Sequence, residues 1–370
     1  MAPDLWDPPL LSGGAIGGID SLMKKKSKWK IVNLVLNRIF GFLFITALLL
    51  GICGLGVGYI VTREDYPSLR DTFVMTMVES RRFRFVPRVF LSASESLEIT
   101  TRKNTRLEEV MDPSLIHIAA QDPKDETLQP GQTQQSDSNE YGLVDEDGDG
   151  VILVPVSGRG FNGFMMIVLD PTRCFVAKGG NGQTINLIAN RTGAIGGING
   201  GAFVDEGGAG TGEYPEGLTI IDGQLIESAR YGRESFAGFD SSGILHVGYF
   251  NYSDCVDMDI VGGVTFEPPL IINGIPQDAS YITSGVNPRS AIGQRADGAV
   301  LMLVINGRQL SSAGATYADL VDVMLQFGAV NAMNLDGGSS SVMYFNGELV
   351  NTPSSESGYS RGLPNAFMFR

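Results

Sequence analysis

AVLMLVINGRQLSSAGATYADLVDVMLQFGAVNAMNLDGGSSS, residues 299–341, is the stretch that decides the fold of the C-terminal part of the chain. Ala299–Ile305 is a continuous apolar run of strand length. Thr316 is placed to cap a helix, with Asp319 three residues on as a capping-box partner of the shorter kind. Leu320, Val323, Met324 and Phe327 then recur at i, i+3, i+4 and i+7, which lines one helical face with apolar groups. Gly328 stops that helix, and Asn331–Leu335 reads as a second strand. Strand, helix and strand at this spacing predict a crossover unit whose two strands run parallel. The loops Asn306–Gly314 and Asp336–Ser341 then leave from the carboxyl edge of those strands, where such sheets gather ligands. Asp336, a carboxylate on a glycine turn trailed by Ser339, Ser340 and Ser341, is the first candidate for chemistry.

The 370 residues suffice for one large domain or two smaller ones, and 43% hydrophobic with 18% charged content suits a globular protein carrying one extra apolar segment. That segment is Ile39–Val61, without a charged residue. At ~1.5 Å per residue it covers the ~30 Å of a bilayer's hydrocarbon. Lys24, Lys25, Lys26, Lys28, Lys30 and Arg38 precede it, so the N-terminus is expected in the cytoplasm and the C-terminal bulk outside the cell membrane, on a single pass. An uncleaved anchor is favoured over a signal peptide because the run is too long and starts too late. The net charge of −14 argues against a nucleic-acid partner, which needs a basic face. Cys53 falls in the span; Cys174 and Cys255 fall outside it without metal-site spacing, and buried free thiols are favoured over a bridge between them.

Composition divides the chain into a basic cytoplasmic tail at 1–38, its first 23 residues unstructured, and the span at 39–61. A partly helical membrane-proximal stalk at 62–118, a polar linker at 119–141 and a strand-rich domain at 142–370 follow. Strands are expected at Val151–Val156, Gly163–Leu169, Leu218–Ile221, Ile244–Tyr249 and Leu270–Asn273. Val342–Phe345 and Glu348–Asn351 form a hairpin about Asn346–Gly347, in a register that brings Asn351 opposite Val342. The fold class is α+β: a mixed-sheet domain with a crossover near its end, preceded by one transmembrane helix.

Only His117 and His246 are present, so a His-rich zinc site or a Ser-His-Asp triad is not easily built, and a structural role is favoured for His246. Acid–base work outside the membrane then falls mainly to Asp and Glu. Gly207–Gly212 lacks the Gly-Lys-Ser/Thr of a phosphate loop. Asp145–Gly150 copies the first half of a calcium loop, but Val156 stands at the twelfth position where a bidentate Glu is required, so an acidic turn is the better reading. No metal and no cofactor are expected.

Four segments keep company with Asp336. Asn199 lies in INGGAF, where glycine lets backbone approach a ligand, and Asp205 with Glu213 and Glu216 supplies carboxylates just beyond it. Arg289 follows a proline turn in NPRSAIG, and Arg361 precedes Gly362–Leu363–Pro364–Asn365. Amides and hydroxyls suit sugar hydroxyls, guanidiniums suit phosphate, and a carboxylate suits an anomeric centre. The segments INGGAF, NPRSAIGQRADG, NLDGGSSSVMYFNGELVN and RGLPNAF, in that order, resemble the phosphodiester glycosidase family, over about residues 142–370. Its mammalian side is the uncovering-enzyme type; bacterial members are of an exopolysaccharide-biosynthesis type, often with one N-terminal anchor.

The resemblance implies hydrolysis of a sugar-1-phosphodiester, with Asp336, Arg289 and Asn199 as catalytic residues. It implies Ser339, Ser340, Asn334, Asn351, Arg361 and Asp205 as substrate-binding. Ala202 stands where many members have an aromatic, and Ser290 where threonine is commoner. In this reading Arg289 neutralises the departing phosphate while Asp336 attacks the anomeric carbon or activates water. The alternative is a non-catalytic glycopolymer-binding or assembly factor using the same residues.

Overall fold

The apolar run forms a strand, β13 (Val300–Ile305), and the second run forms β14 (Ala329–Leu335). In this computed structural model the described residues are 14–63, 65, 67–79, 83–101, 110–118, 143–205, 210–230, 232–277, 285–355 and 358–370. The expected linker at 119–141 and the first half of Gly207–Gly212 lie outside them. Two compact units divide the chain, 1–66 and 67–370.

Among its described residues the first unit has one helix, α1 (Gly14–Val61). Its 26-residue apolar part, Leu36–Val61, is long enough to cross a membrane. The helix also takes in residues 14–23, expected to be unstructured; no proline occurs between Pro9 and Pro67 to break it.

The described residues of the second unit form three sheets. The largest has the spatial order β1 (Val151–Gly158), β2 (Phe161–Val168), β13, β12 (Arg289–Arg295), β14, β10 (Pro269–Ile272) and β11 (Ile275–Pro276). A five-stranded sheet has the order β16 (Glu348–Leu349), β15 (Met343–Phe345), β4 (Gly196–Asn199), β17 (Leu363–Phe369) and β3 (Cys174–Gln183). The third is β6 (Gln224–Glu227), β5 (Thr219–Ile221), β9 (Ile260–Thr265), β7 (Glu234–Asp240) and β8 (Leu245–Phe250). With few helices beside them, the class is α+β.

The crossover is present: helix α6 (Tyr317–Gln326) links β13 to β14. Thr316 Oγ1 accepts from the Asp319 N–H and the Asp319 carboxylate accepts from the Thr316 N–H, the reciprocal cap the sequence called for. Gly328, at φ +80°, ends the helix in the left-handed region. β12 lies between β13 and β14 and is antiparallel to both, so the two crossover strands are parallel in direction without being neighbours. Every ladder among the described strands is antiparallel.

Why β13 reads as an unbroken apolar run follows from what covers it. Leu301, Leu303 and Ile305 face the core under α6, with Leu320, Val323 and Met324. Val300, Met302 and Val304 face the other core, with Val176, Val264 and Phe367 from the two smaller sheets. Both faces of the large sheet are buried, so alternation is lost.

Residues 67–118, expected as a stalk, are part of this unit. Helices α2 (Pro67–Glu79) and α3 (Ala93–Thr101) precede a segment whose Met111 and Ile116 enter the core between the sheets. Asn273 ties that segment down: its Nδ2 donates to the Val110 carbonyl at 2.9 Å and its Oδ1 accepts from the Asp112 N–H at 2.7 Å. Apolar side chains at those two positions gain more from the core than from solvent, about 1.5–3 kcal/mol each when fully buried. Helices α4 (Ile185–Thr192) and α5 (Tyr252–Asp257) pack on the smaller sheets. Cys174 and Cys255 are buried free thiols, and burial pushes the Cys255 thiol up to about 12. His246 Nε2 lies 2.9 Å from the Asp240 carboxylate, a structural pairing between β7 and β8.

Candidate active site

Residues Asp336–Ser341 connect β14 of the large sheet to β15 of the five-stranded one. The loop is therefore the seam between two sheets, and both sheets brace it. From the five-stranded side, the Gly200 carbonyl accepts from the Asp336 N–H at 3.1 Å and Asn199 Nδ2 donates to the Asp336 carbonyl at 2.6 Å. From the large sheet, the Pro288 carbonyl accepts from the Gly338 N–H at 2.9 Å.

Asn199 is the keystone. Its Oδ1 accepts from Ser290 Oγ at 2.7 Å and from the Val342 N–H at 3.2 Å, so one side chain links β4, β12 and both ends of the loop. It is 1% exposed. Ser290 keeps the hydroxyl that this bond uses. Behind it, Asn365 Oδ1 accepts from the Gly201 N–H at 2.7 Å. A Cβ at Gly200 would stand 2.2 Å from that same Oδ1, which is the physical reason for glycine in INGGAF.

Arg289 lies under the loop and is 5% exposed. Its Nε donates to the Ala315 carbonyl at 3.2 Å and its Nη2 to the Gly285 carbonyl at 2.7 Å, while the guanidinium carbon lies 4.3 Å from the centre of the Tyr317 ring. Asn351, opposite Val342 as the hairpin register requires, receives the Met343 N–H at 2.8 Å and donates to the Ser341 carbonyl at 3.1 Å. Asn334 is fully buried and donates to the Glu267 carbonyl at 2.5 Å. Ser340 is 1% exposed.

What remains accessible is a short list. Asp336 and Ser339 are partly exposed. Arg361, also partly exposed, donates from Nη1 to Ser339 Oγ at 3.3 Å and from Nη2 to the Gly210 carbonyl, with its guanidinium 4.5 Å over the Phe203 ring. Asp205 accepts from the Gly210 N–H at 2.6 Å, so it fixes the loop on which Arg361 leans. One residue absent from the sequence reading stands beside the turn: the Arg308 guanidinium abuts Gly338. The signal for it was its position in the loop after β13, on the carboxyl edge already singled out.

A cavity of about 500 Å³, bordered by Val204, Glu213, Tyr214, Glu216, Glu227 and Arg230, opens on the segment that follows β4. Neither Asp336, Ser339 nor Arg361 lines it. The bonded convergence of two sheets falls instead on Asp336, at the seam.

Residues 192–370 match the family described as phosphodiester glycosidase. They are a phosphodiester glycosidase-family domain. The chain is 33% identical over 197 residues to the SPbeta prophage-derived uncharacterized protein YomE of Bacillus subtilis (strain 168), covering 50% of this chain and 29% of that protein. It is 27% identical over 227 residues to the N-acetylglucosamine-1-phosphodiester alpha-N-acetylglucosaminidase of Mus musculus, covering 53% of this chain and 42% of the mouse protein. The chain thus spans less than half the length of these curated relatives. Among solved structures, the zebrafish N-acetylglucosamine-1-phosphodiester alpha-N-acetylglucosaminidase catalytic domain superposes with a TM-score of 0.51 at 21% identity, over 60% of this chain and 82% of that one, and so shares the fold. The family match begins at Thr192, whereas β1, β2 and β3 precede it in sequence and complete two of the three sheets.

Proposed function

We propose that the chain is a membrane-anchored, extracytoplasmic hydrolase that splits a sugar-1-phosphodiester into free sugar and a phosphomonoester, in cell-surface or exopolysaccharide metabolism. The observation that carries this reading is the partly exposed Asp336 on a seam loop whose backbone is fixed from two sheets, within a domain of the phosphodiester glycosidase family. The helix Leu36–Val61 with its preceding lysines supports the anchor and the orientation.

The bond to break joins the anomeric carbon to a phosphate oxygen. Its electron pair passes to the phosphate, and positive charge develops on the sugar ring. A phosphate leaves as a weak base, so a strong general acid matters less than for an ordinary glycoside. Asp336 acts on the sugar side, either bonding to the anomeric carbon or taking the proton of the attacking water. Ser339, beside it, is placed to hold a sugar hydroxyl. Asn199 acts through Asp336: by holding its carbonyl, it sets where the carboxylate points.

Incubation of the full-length chain in detergent with the methyl diester of N-acetylglucosamine-1-phosphate, alongside Asp336→Asn, tests the reading. Free sugar and methyl phosphate from the wild type alone are expected. No release across a panel of sugar-1-phosphodiesters would turn the assignment to a glycopolymer-binding factor.

A further inference from the structure

We propose that Arg308, together with Arg361, grips the departing phosphate, and that Arg289 is a positioning residue beneath them. The proposal rests on the phosphodiester reading above.

The two guanidiniums border successive residues of the loop that carries Asp336. Arg308 Nη2 and Nη1 lie 3.4 and 3.5 Å from the point where a Cβ on Gly338 would stand. Arg361 Nη1 donates to the neighbouring Ser339 Oγ. Gly338 takes φ +62°, a conformation that favours glycine, and the Arg308 fork lies at ordinary contact distance over it.

Arg308 is exposed, yet its backbone is tied on every side. Its N–H donates to the Ala313 carbonyl at 3.1 Å, and the next residue, Gln309, exchanges backbone bonds with Ser312. Gln309 Nε2 donates to the Thr352 carbonyl at 2.8 Å, and Asn306 Oδ1 accepts from the Thr352 N–H at 3.3 Å. Asn287, 3% exposed, orients the head group by accepting from Nη2 at 3.0 Å. Arg308 itself holds φ +58°, a conformation costly for a side chain with a Cβ, kept only because its surroundings fix it. A strained backbone presenting an exposed cation against the turn that carries a partly exposed carboxylate is an arrangement with a use in charge stabilisation.

Arg289 differs in each respect. Nearly buried, it donates to two backbone carbonyls and stacks on Tyr317, so a phosphate reaching it would have to displace those partners. Its contacts pin the turns at Gly285 and Ala315, which flank Asn287, and Asn287 in turn orients Arg308.

The chemistry asks for such a pair. A phosphodiester carries one negative charge, and the phosphomonoester that leaves gains a second as the electron pair of the C1–O bond passes to its oxygen. Water adds its oxygen to C1 and its proton passes by way of the carboxylate to solvent, so the charge builds only on the phosphate. Two guanidiniums there stabilise the transition state more than the bound substrate. Planar forks also match phosphate geometry.

Binding of methyl phosphate to the full-length chain in detergent, followed by calorimetry, tests the clamp without requiring turnover. Arg308→Ala and Arg361→Ala should each weaken binding about tenfold or more, since each removes charge-assisted bonds. Arg308→Lys should recover part of the loss, and Arg289→Lys should lower the melting temperature more than it weakens binding. Equal binding by wild type and Arg308→Ala, or no binding of methyl phosphate by the wild type, would overturn the proposal. Turnover reports separately: a wild type inactive on every diester but binding methyl phosphate through Arg308 removes the hydrolase reading and leaves the clamp standing. In an active wild type, the loss of kcat in Arg308→Ala should be greater for a methyl phosphate leaving group than for a nitrophenyl phosphate one. A loss equal for both would contradict a cation acting on the leaving group.

Discussion

The site is made of two layers that sequence motifs run together and burial separates. The lower layer holds Asn199, Ser290, Asn351, Asn365 and Arg289, all buried and, apart from Ser290 on the Asn199 side chain, bonded chiefly to backbone. The upper layer holds Asp336, Ser339, Arg308 and Arg361, all at least partly exposed. Both bear on one outcome: the Asp336 side chain held still at the surface. The lower layer supplies stillness by satisfying the loop's backbone from two sheets, and the upper layer supplies charge. A polar residue in a family motif therefore has two distinct reasons to be there, and the two predict different failures when it is changed.

The largest expected effect is in the upper layer. Asp336→Asn should lower turnover about a thousandfold, the usual scale for losing a carboxylate that acts on the reacting centre. Its melting temperature should stay near that of the wild type, because the backbone bonds of residue 336 survive the change.

Asn199→Ala should do the reverse in kind. It strips partners from the Asp336 carbonyl, Ser290 Oγ and the Val342 N–H in a dry setting, a loss of about 2–4 kcal/mol. Chemical denaturation would show it, and any fall in turnover should follow from misplacement of Asp336. If Asn199→Ala keeps full stability but loses activity, the two layers are not distinct in the way the burial implies.

Smaller effects lie away from the seam. Thr316→Ala removes the side-chain half of the cap on α6 and should cost about 1 kcal/mol, with turnover unchanged. The least is a pH effect at Asp240. Burial alone would raise that carboxyl, but bonds from His246, Ser242 and the Ile244 N–H outweigh it and hold it below the usual range. Its stabilising contribution is thus present above the unfolded carboxylate value of ~3.9 and is lost as pH falls through the lower, folded value. Acid titration of stability should show a drop below about pH 4 that Asp240→Asn reduces.

The crossover was legible because its signals are local: a Thr–Asp cap, a 3.6-residue apolar period and a stopping glycine all lie within thirteen residues, 316–328. The Asn346–Gly347 hairpin was legible for the same reason, and its register placed Asn351 correctly against Val342. β17 was not, since it opens on Leu363–Pro364 and carries the inward-bonded Asn365 in an otherwise apolar strand. β3 and β4 were hidden by glycines that exist for close approach between sheets, as at Gly179, where a Cβ would stand 1.7 Å from the Leu363 carbonyl. At the site, residue type pointed to Asp336 and to arginines, but not to which arginine faces solvent. Burial of Arg289 depends on Tyr317, and the setting of Arg308 on Thr352; both contacts join separate segments.

The most direct test is the turnover of Asp336→Asn on the methyl diester of N-acetylglucosamine-1-phosphate, read against its own melting curve. The account predicts a wild-type melting temperature with sugar release reduced about a thousandfold. Release at the wild-type rate from the folded variant would contradict it, and would move the chemistry off the seam between the two sheets.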